Sequence, residues 1–164
     1  MLVIAQVETP AAIADVSTLI REYTTWAFTL QAGSEEAPTF VGLEQELATL
    51  PGIYAPPSGR LLLALDGDQP AGCIALKGHD ATTAELKRLY VRPAFRGRDI
   101  GPRLVAALIG EARASGYRRI VLDSHISMAR AHAIYEAAGF RRVPAPADFP
   151  DALKPVVVFM DMDL

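Results

Sequence analysis

The sequence predicts an α/β fold: a single domain over 1–164 in which helices flank a mixed central sheet. The chain has 164 residues, of which 51% are hydrophobic, and this is enough for one domain with a sizeable core. Segments with strand-like patterns alternate with segments in which apolar residues recur at helical spacing. The strand, loop, helix and strand over 85–124 are long enough for a right-handed crossover between parallel strands.

The first half of the chain predicts one strand, two helices and a β-hairpin. Thr9 followed by Pro10 indicates a helix start, because threonine caps free N–H groups and proline suits the first helical position. The turn Asp-Gly-Asp-Gln-Pro between two apolar runs predicts the hairpin. The expected elements are a strand at 2–7, a helix from Pro10 to about Ala27, a break at 34–38, a short helix at about 43–50, and strands at 60–66 and 71–77.

The second half predicts four strands and two helices. Pro93 ends a longer strand, and Gly116 and Gly139 are helix stops, because glycine readily adopts the left-handed conformation that ends a helix. The expected elements are a strand at about 84–92, a helix from about Pro102 to Ser115, a strand at 118–124, a short helix capped by Ser127, and closing strands in "FRRV" and "PVVVFMDMD".

The distribution of charge favours an anionic ligand near the middle of the chain. The net charge is −3, yet twelve basic and only four acidic residues lie between Lys87 and Arg142. That segment therefore carries +8 and the remainder −11, and a positive centre in an acidic protein concentrates a polyanion. A compact phosphorylated cofactor fits better than nucleic acid, because stacking aromatics are not interleaved with the basic residues. Arginines on solvated helix faces are the alternative interpretation.

Composition also excludes several classes of protein. The longest apolar runs have about five residues, whereas a membrane helix needs roughly 20. The N-terminus has neither the basic flank nor the apolar run of a secretion signal. The single cysteine, Cys73, cannot form an internal disulfide or a cysteine-rich metal site, and its apolar surroundings favour a small buried side chain. We therefore expect a cytoplasmic protein without a bound metal.

The stretch "VRPAFRGRDIGPRL" has the composition of a phosphate-binding loop that opens a helix. Gly97 and Gly101 allow a phosphate to approach the backbone, and the helix start leaves unpaired N–H groups and a positive dipole end. Positive charge comes from Arg96, Arg98 and Arg103. Two residues oppose this function, since Asp99 is negative and Pro102 lacks an N–H donor.

Two motifs resemble those of the Gcn5-related N-acetyltransferase (GNAT) superfamily. The family pattern Gln/Arg-x-x-Gly-x-Gly/Ala matches 96–101, and Tyr-Glu-x-x-Gly-Phe matches 135–140. The resemblance is specific over about 85–143, and the order of elements extends it to nearly the whole chain. Departures are Asp99 in place of the first motif glycine, Pro102 after the second, and Met128 where the family often has asparagine.

The resemblance implies transfer of the acetyl group of acetyl-CoA, the co-substrate, to a primary amine by direct attack in a ternary complex. The backbone of Leu89, Tyr90 and Val91 would hold the pantetheine, with the Val91 N–H facing the thioester oxygen. We expect weakened but not abolished binding, with Asp99 left-handed and turned aside or paired with a loop arginine. The implied pyrophosphate-binding residues are Arg96, Gly97, Arg98, Asp99, Ile100, Gly101 and Arg103.

Two residues are candidates for proton transfer. By resemblance, Tyr135 is the general acid for the leaving thiolate; the alternative is a tyrosine that packs a helix onto the sheet. Glu85 is the candidate base, acting through water, because histone-acetylating members of the family have a catalytic glutamate at a matching place on this strand. Alternation predicts that Glu85, Lys87, Leu89 and Val91 share one face, so Glu85 could face the acceptor cleft. The alternative for Glu85 is a structural pair with Lys87 or a nearby arginine, and a tight pair with Lys87 would lower its pKa.

The three histidines carry weaker hypotheses. Each titrates near neutrality, but none has metal-ligand spacing with another His, Cys or carboxylate. His125 lies nearest to the expected cleft, His79 in a turn and His132 inside the last helix.

The acceptor pocket is expected from 23–45 and 143–155, by analogy with the family. An acidic rim would suit a cationic small-molecule or peptide amine; core packing and solvated acids are the alternatives. The residues concerned are the aromatics Tyr23, Trp26, Phe28 and Phe40 and the acids Glu22, Glu35, Glu36, Asp148 and Asp151.

Other functions and partners complete the hypotheses. A non-catalytic acyl-CoA binding or sensing protein is the alternative function, favoured by Asp99, Pro102 and Met128. A nucleic-acid-binding module is a weaker one, because the remainder of the chain is acidic. No membrane or nucleic-acid partner is expected, and the resemblance makes a homodimer plausible.

Overall fold

The computed structural model of the chain describes residues 1–30 and 41–164 as a seven-stranded mixed sheet with helices on both faces. The predicted break at 34–38 lies outside these residues. The strands are β1 (Leu2–Gln6), β2 (Arg60–Asp66), β3 (Gln69–Gly78), β4 (Thr83–Val91), β5 (Arg119–His125), β6 (Arg141–Val143) and β7 (Val157–Asp163). The helices are α1 (Pro10–Leu30), α2 (Leu43–Ala48), α3 (Ile100–Ala114) and α4 (Ala129–Ala138).

The sheet has the strand order β1-β2-β3-β4-β5-β7-β6, and the predicted mixed architecture is confirmed. Each pair of neighbours is antiparallel except β4 and β5, which are parallel and joined through α3. This is the predicted crossover. No helix within the described ranges has the length and apolar character needed to cross a bilayer.

Two apolar layers cover the sheet. We call the side covered by α3 and α4 the α3 face and the side covered by α1 the α1 face. The α3 face contains the stripe predicted for α3, and every member is buried: Leu104, Val105, Leu108, Ile109 and Ala112. The α1 face is centred on Val16, Leu19, Ile20, Tyr54 and Leu61. Cys73 is fully buried there, as predicted, and burial raises the pKa of its thiol to about 12.

The start of α3 differs from the prediction. Asp99 adopts a left-handed conformation (φ 58°), as expected of a residue that tolerates it, and its carbonyl accepts the Arg103 N–H at 3.1 Å. The helix therefore begins at Ile100, and Pro102 is its third residue rather than its first. Proline is tolerated there because no N–H in the first turn has a partner within the helix.

The start of α4 also differs. Ser127 does not cap the helix; its hydroxyl lies 2.7 Å from His125 Nδ1, and Met128 precedes the first helical residue without a side-chain cap. The predicted end is confirmed, since Gly139 has φ 112° and follows Ala138 directly.

A bulge in β4 changes which side chains share a face. Arg88 has φ 62°, and between the Cys73–Tyr90 and Ala75–Lys87 pairs β4 has two residues where β3 has one. Leu89 and Val91 therefore pack with the α3-face core, whereas Glu85 and Lys87 project from the α1 face. The prediction that these four residues share one face was wrong, because strict alternation fails where a bulge adds a residue.

Candidate active site

A cavity of about 530 Å³ opens where β4 and β5 separate. The two strands pair only over Thr83–Glu85 and Arg119–Val121, and beyond these residues they diverge. The cavity is bounded by the end of β4, the following loop, the first turn of α3, the end of β5, α4 and part of α1. Among the predicted site residues, the lining includes Leu89, Tyr90, Val91, Arg96, Gly97, Asp99, Ile100, Gly101 and Tyr135.

The loop before α3 presents unpaired backbone donors. Among the described residues, none of the five N–H groups from Gly97 to Gly101 donates a hydrogen bond to the protein. Gly97 has φ 79°, and a Cβ on Gly101 would lie 3.0 Å from Ile134 Cδ1, so α3 and α4 approach closely there. Consecutive free N–H groups at a helix N-terminus form a concave site for an anion.

The three loop arginines take different positions. Arg96 lines the cavity; its Nε donates to the Val91 carbonyl at 3.1 Å, and its guanidinium lies 5.2 Å from the Trp26 ring centre. Arg98 instead pairs with Asp66 at 2.9 Å, and Arg103 is exposed outside the cavity wall. Of the predicted arginines, Arg96 alone lines the cavity.

Asp99 remains in the cavity wall. The expected pairing with Arg96, Arg98 or Arg103 is not found, and its carboxylate forms no salt bridge with any residue in 1–30 or 41–164. A negative charge beside the free N–H groups opposes a second anion, so this loop combines donors with an unfavourable charge.

Tyr135 lies on the sheet side of α4. Its side chain is buried, its ring packs against Phe140 at a centroid distance of 5.8 Å, and it lines the cavity. The hydroxyl makes no hydrogen bond with the described part of the chain. Burial raises the pKa of this phenol, so the group carries its proton at neutral pH.

Glu85 lies at the start of β4, outside the cavity wall. Its carboxylate is 3.6 Å from His79 Nε2 and 3.8 Å from Lys87 Nζ. The contact with Lys87 is the structural alternative considered from the sequence.

Sequence reasoning missed Asp123, which lines the cavity. Leu122 packs into the α3-face core, so Asp123 projects from the α1 face, as Glu85 does. An acid at the carboxyl end of the otherwise apolar strand "RIVLDS", next to the crossover, is the feature that indicates it. Asp123 keeps an exposed surface, but partial loss of water in the cleft and, secondly, the charge of Glu85 raise the pKa of its carboxyl.

Aromatic rings form the α1 side of the cavity. The Tyr23 ring centre lies 5.9 Å from that of Tyr90 and 6.3 Å from that of Trp26. Two of the aromatic residues predicted for the acceptor pocket, Tyr23 and Trp26, line the cavity. Phe28 does not line it, and Phe40 lies outside the described residues.

The predicted acidic rim is not found in the described residues. Glu22 pairs with Arg92 at 2.7 Å, and Asp151 pairs with Lys154 at 2.6 Å. None of the described members of the predicted group lines the cavity: Glu22, Asp148 and Asp151. Glu35 and Glu36 lie outside the described residues.

The histidines do not line the cavity either. His125 Nδ1 accepts the Ser127 N–H at 3.1 Å, and burial lowers the pKa of the ring. His132 is buried, which also lowers its pKa. Within the described ranges, no cluster of three or more His, Cys, Asp or Glu side chains could hold a metal ion.

The chain is similar to known proteins both in sequence and in fold. The model of the acetyltransferase (GNAT) family matches residues 17–140. An uncharacterized N-acetyltransferase of Schizosaccharomyces pombe is 32% identical over 98% of this chain and 94% of its own. An acetyltransferase structure from Streptococcus agalactiae superposes with a TM-score of 0.75 and 26% identity, covering 99% of this chain and 98% of that one. A GNAT family acetyltransferase from Elizabethkingia anophelis with acetyl-CoA bound has a TM-score of 0.55 and 25% identity, over 65% of this chain and 77% of that one.

Proposed function

The chain belongs to the GNAT acetyltransferase family, and on that basis we propose that it transfers the acetyl group of acetyl-CoA to a primary amine of a small-molecule or peptide acceptor. Both substrates would be bound together, and the amine would attack the thioester directly. One observation carries the proposal: the cavity between β4 and β5 is lined both by Tyr135 and by four residues of the 97–101 loop whose N–H groups donate no hydrogen bond among the described residues, namely Gly97, Asp99, Ile100 and Gly101. The loop can hold a pyrophosphate, and Tyr135 can supply a proton.

The chain offers suitable groups for the pyrophosphate, the pantetheine and the thioester of acetyl-CoA. The N–H groups of 97–101 and the guanidinium of Arg96 would bind the pyrophosphate. The backbone of Leu89, Tyr90 and Val91, which follows the bulge, would hold the pantetheine. The Val91 N–H would stabilise the negative charge that develops on the thioester oxygen, and Tyr135 would protonate the leaving sulfur.

A non-catalytic acyl-CoA binding protein is the second candidate function. It is favoured by Asp99 in the cavity wall and by Pro102, which removes one donor from the first turn of α3. Release of coenzyme A in the presence of amines separates the two functions, because a binding protein would hold acetyl-CoA without turning it over.

We expect the substitution Asp99→Gly to tighten acetyl-CoA binding by roughly fivefold. A charge at a helix N-terminus changes the local interaction free energy by about 1 kcal/mol. The Asp99 carboxylate opposes the phosphate groups of the ligand, so its removal should gain about that much binding free energy, which corresponds to roughly fivefold in affinity. Glycine also accepts the left-handed backbone at this position. Titration calorimetry with acetyl-CoA on the native protein and the variant measures the difference.

Two further variants separate charge from backbone shape. Asp99→Asn removes the charge and keeps a residue that tolerates φ 58°, so it should tighten binding by a similar factor. Asp68→Asn removes an exposed carboxylate of the β2–β3 turn, away from the cavity, and should leave the affinity unchanged. Equal affinities for all the proteins would contradict the role of Asp99, and no binding to any of them would reject the acetyltransferase function.

A further inference from the structure

The proposed reaction needs a group that takes a proton from the acceptor, since an alkylammonium has no lone pair for attack. Two carboxylates project from the α1 face near the separation of β4 and β5: Glu85 and Asp123. Glu85 has cationic neighbours at 3.8 Å in Lys87 and 3.6 Å in His79, and it is not part of the cavity wall. Glu85 is therefore placed to influence the charge of neighbouring groups rather than to contact a ligand in the cavity.

Asp123 lies closer to the open part of the cleft. Val121 is the parallel partner of Glu85, so Asp123 is two residues further towards the end where the strands diverge. It lines the same cavity as Tyr135 and the aromatic residues Tyr23 and Trp26. Within the described residues, its carboxylate accepts no hydrogen bond and forms no salt bridge, which leaves both oxygens available to a ligand.

The surroundings of Asp123 make its carboxylate more basic. It keeps an exposed surface, but it lies in a concave cleft where the protein displaces part of its water, and this desolvation raises its pKa. Glu85 raises the pKa further, whereas Lys87, Arg88 and His79 oppose the shift. The titratable or charged groups that face it are Glu85, Lys87, Arg88, His79, Tyr23 and Tyr135.

We infer that Asp123 binds the ammonium of the acceptor and takes its proton, which makes Asp123 a catalytic residue and Glu85 a positioning residue that acts through it. This inference depends on the proposed function. One N–H bond of the ammonium breaks, its electron pair stays on nitrogen, and an O–H bond forms on Asp123. The nitrogen then attacks the thioester carbon.

The remaining protons balance in the next step. As the C–S bond breaks, its electron pair goes to sulfur, which takes the proton of the Tyr135 hydroxyl. The second proton lost by nitrogen restores the phenol, and Asp123 releases its proton to solvent. The products are the N-acetylated amine and coenzyme A thiol, with one proton released overall.

The acceptor side of the cavity also indicates the class of amine. Tyr23 and Trp26 supply apolar aromatic walls, and the Trp26 ring already lies against the Arg96 guanidinium. Among the described residues, the carboxylates that line the cavity are Asp123 and, in the 97–101 loop, Asp99. Such a site suits an acceptor with a single ammonium on an apolar stem better than a polyamine.

The experiment measures kcat/KM against pH from 4 to 9.5, as coenzyme A thiol release from acetyl-CoA with phenethylamine, benzylamine or spermidine as probe. In the native protein we expect a rise with pH at the acidic end of this range that reports a single carboxyl group. Asp123→Asn should lower kcat/KM at pH 7 by roughly tenfold to a hundredfold and remove that rise, leaving only the rise that follows deprotonation of the amine itself. The loss should diminish near pH 9.5, where more of the amine is already neutral.

Glu85→Gln separates the two carboxylates. It keeps the proposed base but removes the neighbouring negative charge, so the rise should move to lower pH. Loss of the rise in Glu85→Gln, with its retention in Asp123→Asn, would assign the base to Glu85 and overturn the inference. Retention of the rise in both variants would also overturn it, and spermidine as the preferred probe would overturn the inferred amine class.

Failure of the proposed function gives a different result. If acetyl-CoA does not bind by calorimetry, the function itself is rejected and the inference falls with it. If acetyl-CoA binds but no probe is acetylated, carbon-13 NMR of the labelled aspartate carboxyls measures the pKa of Asp123. Comparison of the native protein with Asp123→Asn assigns the Asp123 signal. Titration of Asp123 above the ordinary aspartate range supports the inference, and titration within or below that range overturns it.

Discussion

Replacing Tyr135 with phenylalanine is expected to lower kcat by about 10²–10⁴-fold, the usual contribution of a positioned general acid. The phenol is buried against Phe140, and burial raises its pKa, so the native hydroxyl carries its proton at neutral pH. Phenylalanine keeps the ring and its packing but has no proton to give to the sulfur. Steady-state release of coenzyme A thiol from acetyl-CoA and a primary amine measures the change.

Two measurements distinguish chemistry from folding in this variant. Acetyl-CoA binding by calorimetry should change by less than about twofold, because a lost transition-state interaction leaves ground-state binding intact. Tyr117→Phe is the matched control: this tyrosine is also buried on the α3 face, but its hydroxyl donates to the Ser58 carbonyl at 2.6 Å, away from the cavity. Equal kcat values for Tyr135→Phe and the native protein would assign Tyr135 to packing alone.

The order of strands and helices could be predicted because local patterns determine it. The apolar stripe of α3 and the hairpin turn between β2 and β3 are visible within a few residues. The start of α3 was predicted two residues too late, because proline favours the first position of a helix and the prediction therefore starts at Pro102. The helix begins at Ile100 because Asp99 adopts the left-handed conformation that precedes it.

The candidate site could be predicted only in part. Sequence motifs identified the loop and Tyr135, because these residues are contiguous with the elements that position them. The sequence could not predict that Glu85 lies on the opposite face of the sheet from Leu89 and Val91, because one extra residue at the Arg88 bulge reverses the alternation after Lys87. Asp123 was missed for a related reason: its proximity to Glu85 depends on the parallel register of two strands that are distant in sequence.

An ion pair connects the bulge in β4 to α2. The Arg88 guanidinium donates to both carboxylate oxygens of Glu46, at 2.9 and 3.0 Å, and the two side chains are only 4% and 12% exposed. Arg88 has φ 62°, a conformation that is costly for a non-glycine residue and persists only where its surroundings impose it. We therefore expect the pair to offset the local strain at the bulge, after which Leu89 and Val91 face the cavity.

Glu46→Gln is therefore expected to lower the free energy of unfolding by about 3–5 kcal/mol, the usual cost of removing one partner of a buried pair. The guanidinium would stay buried without its counter-charge. Urea denaturation at constant pH measures the loss. Glu44→Gln is the control on the same helix; Glu44 pairs with Arg21 at an exposed site, so no measurable change is expected.

A double substitution tests whether the pair fixes the bulge rather than merely stabilising the protein. Glu46→Leu with Arg88→Met removes both charges, so most of the stability should return, because well-packed apolar side chains replace buried pairs at little cost. Turnover of acetyl-CoA by the double variant should nevertheless be lower than that of the native protein. Methionine has no bidentate partner to hold the left-handed conformation, so the backbone of 89–91 would lose its orientation. Equal losses of unfolding free energy in Glu44→Gln and Glu46→Gln would show that burial does not set the strength of these two ion pairs. For the double variant, full turnover in a stable protein would show that the bulge forms without the Arg88–Glu46 pair.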